Sequence, residues 1–111
     1  MSKEKFFLSH IIESTDLVKE YLENVSMNDF YNSIPTQDMV YRRLEIIGEA
    51  VKNLSTDFKI LHPEINWKKI AGMRDVLIHN YFGIDAELAW KAAVEELPKL
   101  ELQIRSILDN M

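Results

Sequence analysis

One apolar segment carries the residue types that proton transfer and phosphate binding require. As a helix, the segment from Trp67 to Phe82 would be apolar nearly all round, and Asp75 and His79 stand four residues apart within it. On a helix this spacing lets a carboxylate meet an imidazole. Because a carboxylate fixes the tautomer of the imidazole, the pair suits general acid–base chemistry near neutral pH.

Arg74 places a cation next to this pair. Its guanidinium is a planar fork of donors that matches the oxygens of a phosphate. On an ideal helix Arg74 and His79 diverge by about 140°, so one copy of the helix aims them poorly at a single atom. A two-fold dimer that crosses at this helix would bring two arginines and two histidines together. Gly72 lies on the stripe of Asp75 and His79 and permits close approach by another helix or a substrate.

Hydrophobic periodicity predicts four long helices, of which the segment above is the third. The first runs from about residue 4 to 24. Thr36 is the expected cap of the second helix, Asn66 of the third and Asp85 of the last. Since loops of modest length join them, the predicted fold class is all-α. We expect an antiparallel, up-and-down bundle of four to five helices that forms a single domain over residues 1–111.

Turn and helix-breaking residues add detail to this bundle. A helical turn is expected around residues 28–31, and another short turn follows a cap at Ser55 and stops at Pro63. Gly83 is placed to end the third helix. Pro98 lies inside the last helix, where it removes one backbone hydrogen bond. It therefore predicts a kink or a brief break.

The third helix has more apolar surface than one small bundle can cover. Such a helix is normally buried on more than one side, so we expect a homodimer formed through it. Gly48, on the second helix, costs that helix about 1 kcal/mol relative to alanine. Close helix packing is the expected compensation, either within the chain or across a dimer.

Composition excludes several classes of protein. The 111 residues include no cysteine, so disulfides, iron–sulfur clusters and cysteine-ligated zinc are excluded, and a reducing cytoplasm is the expected location. His10 and His62 are isolated, and with His79 they give no metal-site spacing; no cofactor is expected. The longest run without a charged residue is the nine residues 76–84, too short to span a membrane.

The net charge of −5 does not favour binding of nucleic acid by overall attraction. A local positive patch is required instead. Two basic pairs, Arg42–Arg43 and Lys68–Lys69, are the candidates for RNA binding, provided that both border the same cleft. Otherwise each pair is a solvated face of its helix.

The segment from Asn66 to Tyr81 resembles the HEPN domain signature in its HepT form, R-x-x-x-x-H-x-Y, on Arg74, His79 and Tyr81. Residues 43–54 resemble the second helix of the same family, and the resemblance extends over nearly the whole chain. It implies a metal-independent endoribonuclease toxin of a HEPN/MNT toxin–antitoxin pair. Such proteins work as homodimers on RNA and leave a 2′,3′-cyclic phosphate.

The resemblance also implies a role for each motif residue. His79 would take the proton of a ribose 2′-OH or protonate the leaving 5′-oxygen, and Arg74 would hold the scissile phosphate. Asp75 would orient His79. Tyr81 matches the tyrosine that the partner nucleotidyltransferase, the antitoxin, modifies with AMP. A nucleotide two residues from His79 would block the cleft by its size and its negative charge.

A structural interpretation exists for each of these residues. Arg74 could be an ion-pair partner of Glu45 or Glu49 on the second helix, and His79 a hydrogen-bonded structural histidine. Tyr81 could be a core aromatic with its hydroxyl at the rim. Under this alternative, the chain is a non-catalytic helical module that binds a nucleotide or a nucleotidyltransferase.

Overall fold

A computed structural model describes the backbone of residues 2–79 and 86–111 and the side chains of residues 2–74 and 86–111. Its elements are α1 (Lys3–Tyr21), α2 (Met27–Tyr31), α3 (Ile34–Lys52), α4 (Thr56–Leu61), α5 (Trp67–His79), α6 (Ala86–Lys91), a π-helical segment (Ala92–Glu96) and α7 (Leu97–Asp109). Within these described ranges there is no strand, and the predicted all-α class is confirmed.

Helix α3 is the centre of the antiparallel bundle. It packs against α1 on one side and against α5 on the other, and α7 covers α1. The apolar stripes of these helices meet in one core, whose most deeply buried large side chains are Phe30, Leu8, Ile11, Leu44, Ile47, Leu97, Leu100 and Ile104. None of the described helices is long and apolar enough to cross a membrane.

Helix α1 ends at Tyr21, three residues before the predicted end. Asn24 has φ of 61°, a left-handed conformation that asparagine tolerates better than most residues and that an α-helix cannot continue through. Ser26 then starts α2. The Ser26 hydroxyl accepts a hydrogen bond from the Asp29 amide, and the Asp29 carboxylate accepts one from the Ser26 amide. The predicted turn at residues 28–31 is therefore confirmed.

The predicted cap of α3 at Thr36 is wrong, because Ser33 caps this helix. The Ser33 hydroxyl accepts a hydrogen bond from the Thr36 amide at 3.3 Å. Pro35 lies in the first turn, where no intrahelical donor is needed and proline is well tolerated. The helix therefore begins at Ile34, ahead of the proline. Thr36 contributes a hydroxyl that lies 2.9 Å from that of Ser33.

The predicted caps at Ser55 and Asn66 are confirmed. The Ser55 hydroxyl accepts a hydrogen bond from the Phe58 amide at 3.1 Å, and the Asn66 side chain accepts one from the Lys69 amide at 3.0 Å. Asn66 therefore starts α5 directly before Trp67. The predicted end of this helix near Phe82, the stop at Gly83 and the cap at Asp85 lie outside the described residues.

The interruption expected at Pro98 takes the form of a π-helical segment. Residues 92–96 form this segment between α6 and α7, and the helix continues without a gap, with Pro98 as the second residue of α7. The Leu97 amide donates to the carbonyl oxygen of Ala92, five residues back instead of four. The wider turn directly before Pro98 is therefore the local interruption of the α-helical pattern that the proline predicts.

A buried carboxylate connects α7 to α1. Glu101 is 8% exposed and lies 3.1 Å from Lys19 Nζ, while Arg105 bridges Glu101 to Asp16 with contacts of 3.1 Å to each. Burial alone would raise the pKa of Glu101. Hydrogen bonds from Lys19 and Arg105 outweigh that effect and hold the pKa below its usual value.

Candidate active site

The site is built on the crossing of α3 and α5, where Gly48 faces Arg74. A Cβ placed on Gly48 would lie 2.6 Å from Arg74 Cβ and 3.5 Å from the carbonyl oxygen of Ala71. The first distance is shorter than two carbon atoms tolerate, so only glycine allows this approach. The compensation expected for Gly48 is therefore close packing within the chain. Its consequence is that α3 sets the position of the Arg74 backbone.

The Arg74 side chain extends from this crossing to a carboxylate on α3. Arg74 Nε lies 2.8 Å from Glu49 Oε2, a short charge-assisted contact. Glu49 directly follows Gly48, so one turn of α3 supplies both the gap for the arginine backbone and a partner for its guanidinium. Of the two acids expected as ion-pair partners, Glu49 is confirmed.

This ion pair is compatible with phosphate binding. A guanidinium has five N–H donors, and Nε carries only one of them. The Arg74 side chain is 29% exposed and that of Glu49 is 53% exposed, so the pair lies at the surface of the bundle.

Among the described residues, nothing crowds the side of α5 that bears Gly72. A Cβ built on Gly72 would meet no described atom within 4 Å, in contrast to the crowding at Gly48. Its neighbours Ala71 and Met73 are half-buried. The described part of the chain therefore leaves space at Gly72 for another helix or a substrate, as the sequence predicts.

The remaining motif residues follow Arg74 along the chain. Asp75 and His79 belong to α5, which is helical as far as His79. Their side chains, and all of Tyr81, lie outside the described part of the structure. The contact between Asp75 and His79 and the roles of all three residues remain predictions.

The basic pairs lie on two helices that pack against each other, Arg42 and Arg43 on α3 and Lys68 and Lys69 on α5. Arg42 lies 3.3 Å from Glu45, and Lys69 Nζ lies 2.9 Å from Glu96. Lys68 is exposed and Arg43 is half-buried. Two of the four candidates for RNA binding therefore already have an acidic partner.

Glu96 is a site neighbour that the sequence analysis missed. It belongs to the π-helical segment, yet it joins Lys69 at the start of α5. The two residues are 27 positions apart, and no local pattern connects them. Among the described side chains, those of residues 2–74 and 86–111, no group of three or more His, Asp or Glu is placed to hold a metal ion.

Comparison with known proteins connects this chain to a family. A family model described as "Ribonuclease HepT-like" matches residues 11–107. The chain is 47% identical over 97 residues to the "Probable ribonuclease HepT" of Thermococcus cleftensis, a match that covers 87% of this chain and 88% of that protein. It is 41% identical over 110 residues to a "Putative RNase" of Caldanaerobacter subterraneus, with 99% and 98% covered.

A third relative is about twice as long. The chain is 44% identical over 107 residues to the "Gamma-glutamylcyclotransferase and putative RNase" of Methanocaldococcus jannaschii. That match covers 96% of this chain but 48% of the relative, so the chain spans about half of its length. No solved structure gives a significant match.

Proposed function

Because the chain belongs to the HepT-like ribonuclease family, we propose that it is an endoribonuclease toxin whose active site contains Arg74 and His79. The observation that carries the proposal is the placement of Arg74. This arginine is anchored at the α3–α5 crossing, yet its side chain stays 29% exposed on the helix that also contains His79.

The proposed reaction transfers two protons and needs no metal. The 2′-oxygen of a ribose bonds to the neighbouring phosphorus and gives its proton to an imidazole. The bond from phosphorus to the 5′-oxygen breaks, and that oxygen receives a proton from an imidazolium. A 2′,3′-cyclic phosphate and a 5′-hydroxyl result. Arg74 holds the phosphate and stabilises its developing charge, and Asp75 orients His79.

Two copies of His79 suit this reaction better than one. In a homodimer that crosses at α5, one His79 accepts the first proton while the partner's His79 donates the second. The open side of α5 at Gly72 supports such a crossing, because a second helix can approach there without a side chain in its way. Lys68, exposed on the first turn of α5, is the basic candidate best placed to attract RNA.

We also propose an MNT-type nucleotidyltransferase as the antitoxin. It would transfer AMP to the Tyr81 hydroxyl and release pyrophosphate from ATP. The added nucleotide would lie two residues from His79 and would obstruct RNA by its bulk and charge. Incubation with the antitoxin and ATP should add the mass of AMP to the wild type and not to Tyr81→Phe. Modification of Tyr81→Phe to the same extent would exclude this tyrosine as the acceptor.

The test of the ribonuclease is cleavage of RNA in excess EDTA. Wild-type protein, shown by mass to carry no AMP, is compared with His79→Ala and Arg74→Ala. We expect cleavage with a 2′,3′-cyclic end by the wild type and its loss in both variants. His10→Ala is the matched control, because His10 is an exposed histidine of α1 and its removal should leave cleavage intact.

A second function follows from the ion pair between Arg74 and Glu49. If Arg74 is purely structural, the chain is a non-catalytic module that binds a nucleotide or the nucleotidyltransferase. Failure of unmodified, dimeric wild type to cleave total RNA or tRNA would favour this module. Wild-type activity in His79→Ala would contradict the assignment of the catalytic histidine.

A further inference from the structure

We propose that Glu49 is a positioning residue of the active site, which orients the Arg74 guanidinium toward the scissile phosphate. The inference rests on the proposed ribonuclease function. It assigns a role to an acidic residue that lies outside the R-x-x-x-x-H-x-Y motif. In this proposal the ion pair with Glu49 serves the catalytic role of Arg74.

The geometry restrains the arginine at two points. At its base, Arg74 Cβ lies against the backbone of Gly48, where no side chain separates the two helices. At its far end, Nε lies 2.8 Å from Glu49 Oε2. Consecutive residues of α3 therefore restrain both ends of the Arg74 side chain.

The position of the contact on the guanidinium matters. A carboxylate at Nε restrains the inner edge of the group and fixes its plane. A phosphate is commonly received through two parallel N–H bonds of the planar fork. The Glu49 contact is made at Nε, so it orients the plane of this fork. An arginine held in this way enters the reaction with less side-chain motion to lose.

Stability alone does not explain the pair. Ion pairs with partners as exposed as these, 29% and 53%, contribute little to folding. A carboxylate beside a phosphate-binding arginine also repels RNA. Glu49 should therefore weaken substrate binding slightly while it raises the rate of the chemical step. A merely structural ion pair would not separate these two effects.

The decisive variant is Glu49→Gln, which removes the charge and keeps the shape. We expect kcat for RNA cleavage to fall about 10- to 100-fold, the loss typical of a misplaced catalytic group. KM should stay the same or decrease, because a negative charge near the phosphate is gone. Glu49→Asp retains the charge on a shorter side chain and should recover part of kcat.

Glu20→Gln is the matched control for charge. Glu20 is an exposed acid on α1, so this change alters the net charge equally without touching the α3–α5 crossing. We expect its kcat and KM to equal those of the wild type. An equal fall of kcat in Glu20→Gln, or wild-type kcat in Glu49→Gln, would overturn the proposal.

The contact between Arg74 Nε and Glu49 can also be detected by NMR, without an activity assay. In ¹⁵N-labelled protein, the Nε–H signal of Arg74 is assigned by its loss in Arg74→Lys. A Glu49 contact predicts a downfield, slowly exchanging signal in the wild type that moves and exchanges faster in Glu49→Gln. An unchanged signal would overturn the proposal.

The cleavage assay and the NMR measurement together distinguish failure of the ribonuclease function from failure of the role of Glu49. If the wild type cleaves no RNA, the ribonuclease function fails and the catalytic role of Glu49 is overturned with it, although the NMR signal still reports whether Glu49 holds Arg74. If the wild type cleaves RNA and Glu49→Gln does so equally well, only the role of Glu49 is overturned.

Discussion

Gly48 of α3 and Arg74 of α5 meet so closely that no other residue type fits at position 48. A Cβ there would lie 2.6 Å from Arg74 Cβ, which belongs to the rigid start of the side chain and cannot simply swing away. The two helices therefore cannot keep this crossing if Gly48 gains a side chain. The contact couples the packing of the bundle to the position of the proposed catalytic arginine.

Gly48→Ala should destabilise the protein and impair the site. Alanine improves the intrinsic helix propensity by about 1 kcal/mol, but forcing apart a packed crossing costs about 1–3 kcal/mol. We expect a net loss of stability in urea denaturation and a lower kcat. Gly72→Ala is the matched control. Since no described atom crowds Gly72, the stability of the Gly72→Ala protein, measured at a concentration where the chain is monomeric, should rise by up to about 1 kcal/mol. If Gly48→Ala and Gly72→Ala changed the unfolding free energy equally and in the same direction, the different packing of the two glycines would be contradicted.

A larger side chain at Gly72 should test the proposed dimer. Gly72→Gln places a good helix former where the chain itself has room. If a second subunit crosses α5 there, the new side chain obstructs it and the dimer dissociates at lower concentration. Sedimentation at several protein concentrations measures this effect, and thermal unfolding shows whether the fold is intact. A wild type that stays monomeric well above micromolar concentration would contradict the shared active site.

The two adjacent lysines of α5 should differ in their effect on RNA binding. Both lysines are exposed in the first turn of α5, but Lys69 Nζ already lies 2.9 Å from Glu96. Lys68→Ala should weaken binding and reduce the slope of log K against log salt by about 0.7, the value for one phosphate contact to a single strand. Lys69→Ala should change the slope less. Binding of labelled RNA by catalytically inactive His79→Ala protein measures both, and an equal loss in the two variants would contradict the distinction.

Glu101 should make stability depend on pH in the acidic range. Its pKa is lowered in the folded protein, so its contribution is present above the ordinary value of 4.5. That contribution is lost as the pH falls below 4.5 and through the lower folded pKa. At neutral pH, Glu101→Gln should cost about 1–2 kcal/mol, because charge-assisted bonds from Lys19 and Arg105 are lost.

The measurement for Glu101 is urea denaturation of wild type and Glu101→Gln from pH 7 to pH 3. The difference in unfolding free energy between them should be constant near neutrality and shrink below pH 4.5. Glu20→Gln serves as the exposed comparison, with little difference at any pH. A gap that widened on acidification would have the wrong sign for a lowered pKa.

Local signals account for much of the fold. The caps at Ser55 and Asn66 were predictable because each accepts a hydrogen bond from an amide three residues ahead. The helix periodicity behind the bundle is equally local. The error at Thr36 arose between two hydroxyl residues that flank Pro35. The choice of Ser33 depends on the tolerance of a first helical turn for proline, which lets the helix begin ahead of Pro35.

By itself, the sequence determined the all-α class, the family motif and the order of Arg74, Asp75, His79 and Tyr81 along the chain. These properties depend on residue identity and on interactions within a few positions. Only the tertiary structure decided which side chains meet across helices. Gly48 against Arg74, Glu49 rather than Glu45 as the partner of Arg74, and Lys69 with Glu96 all join residues more than 20 positions apart. Such contacts follow from how helices cross, and the crossing is set by the packing of the whole core.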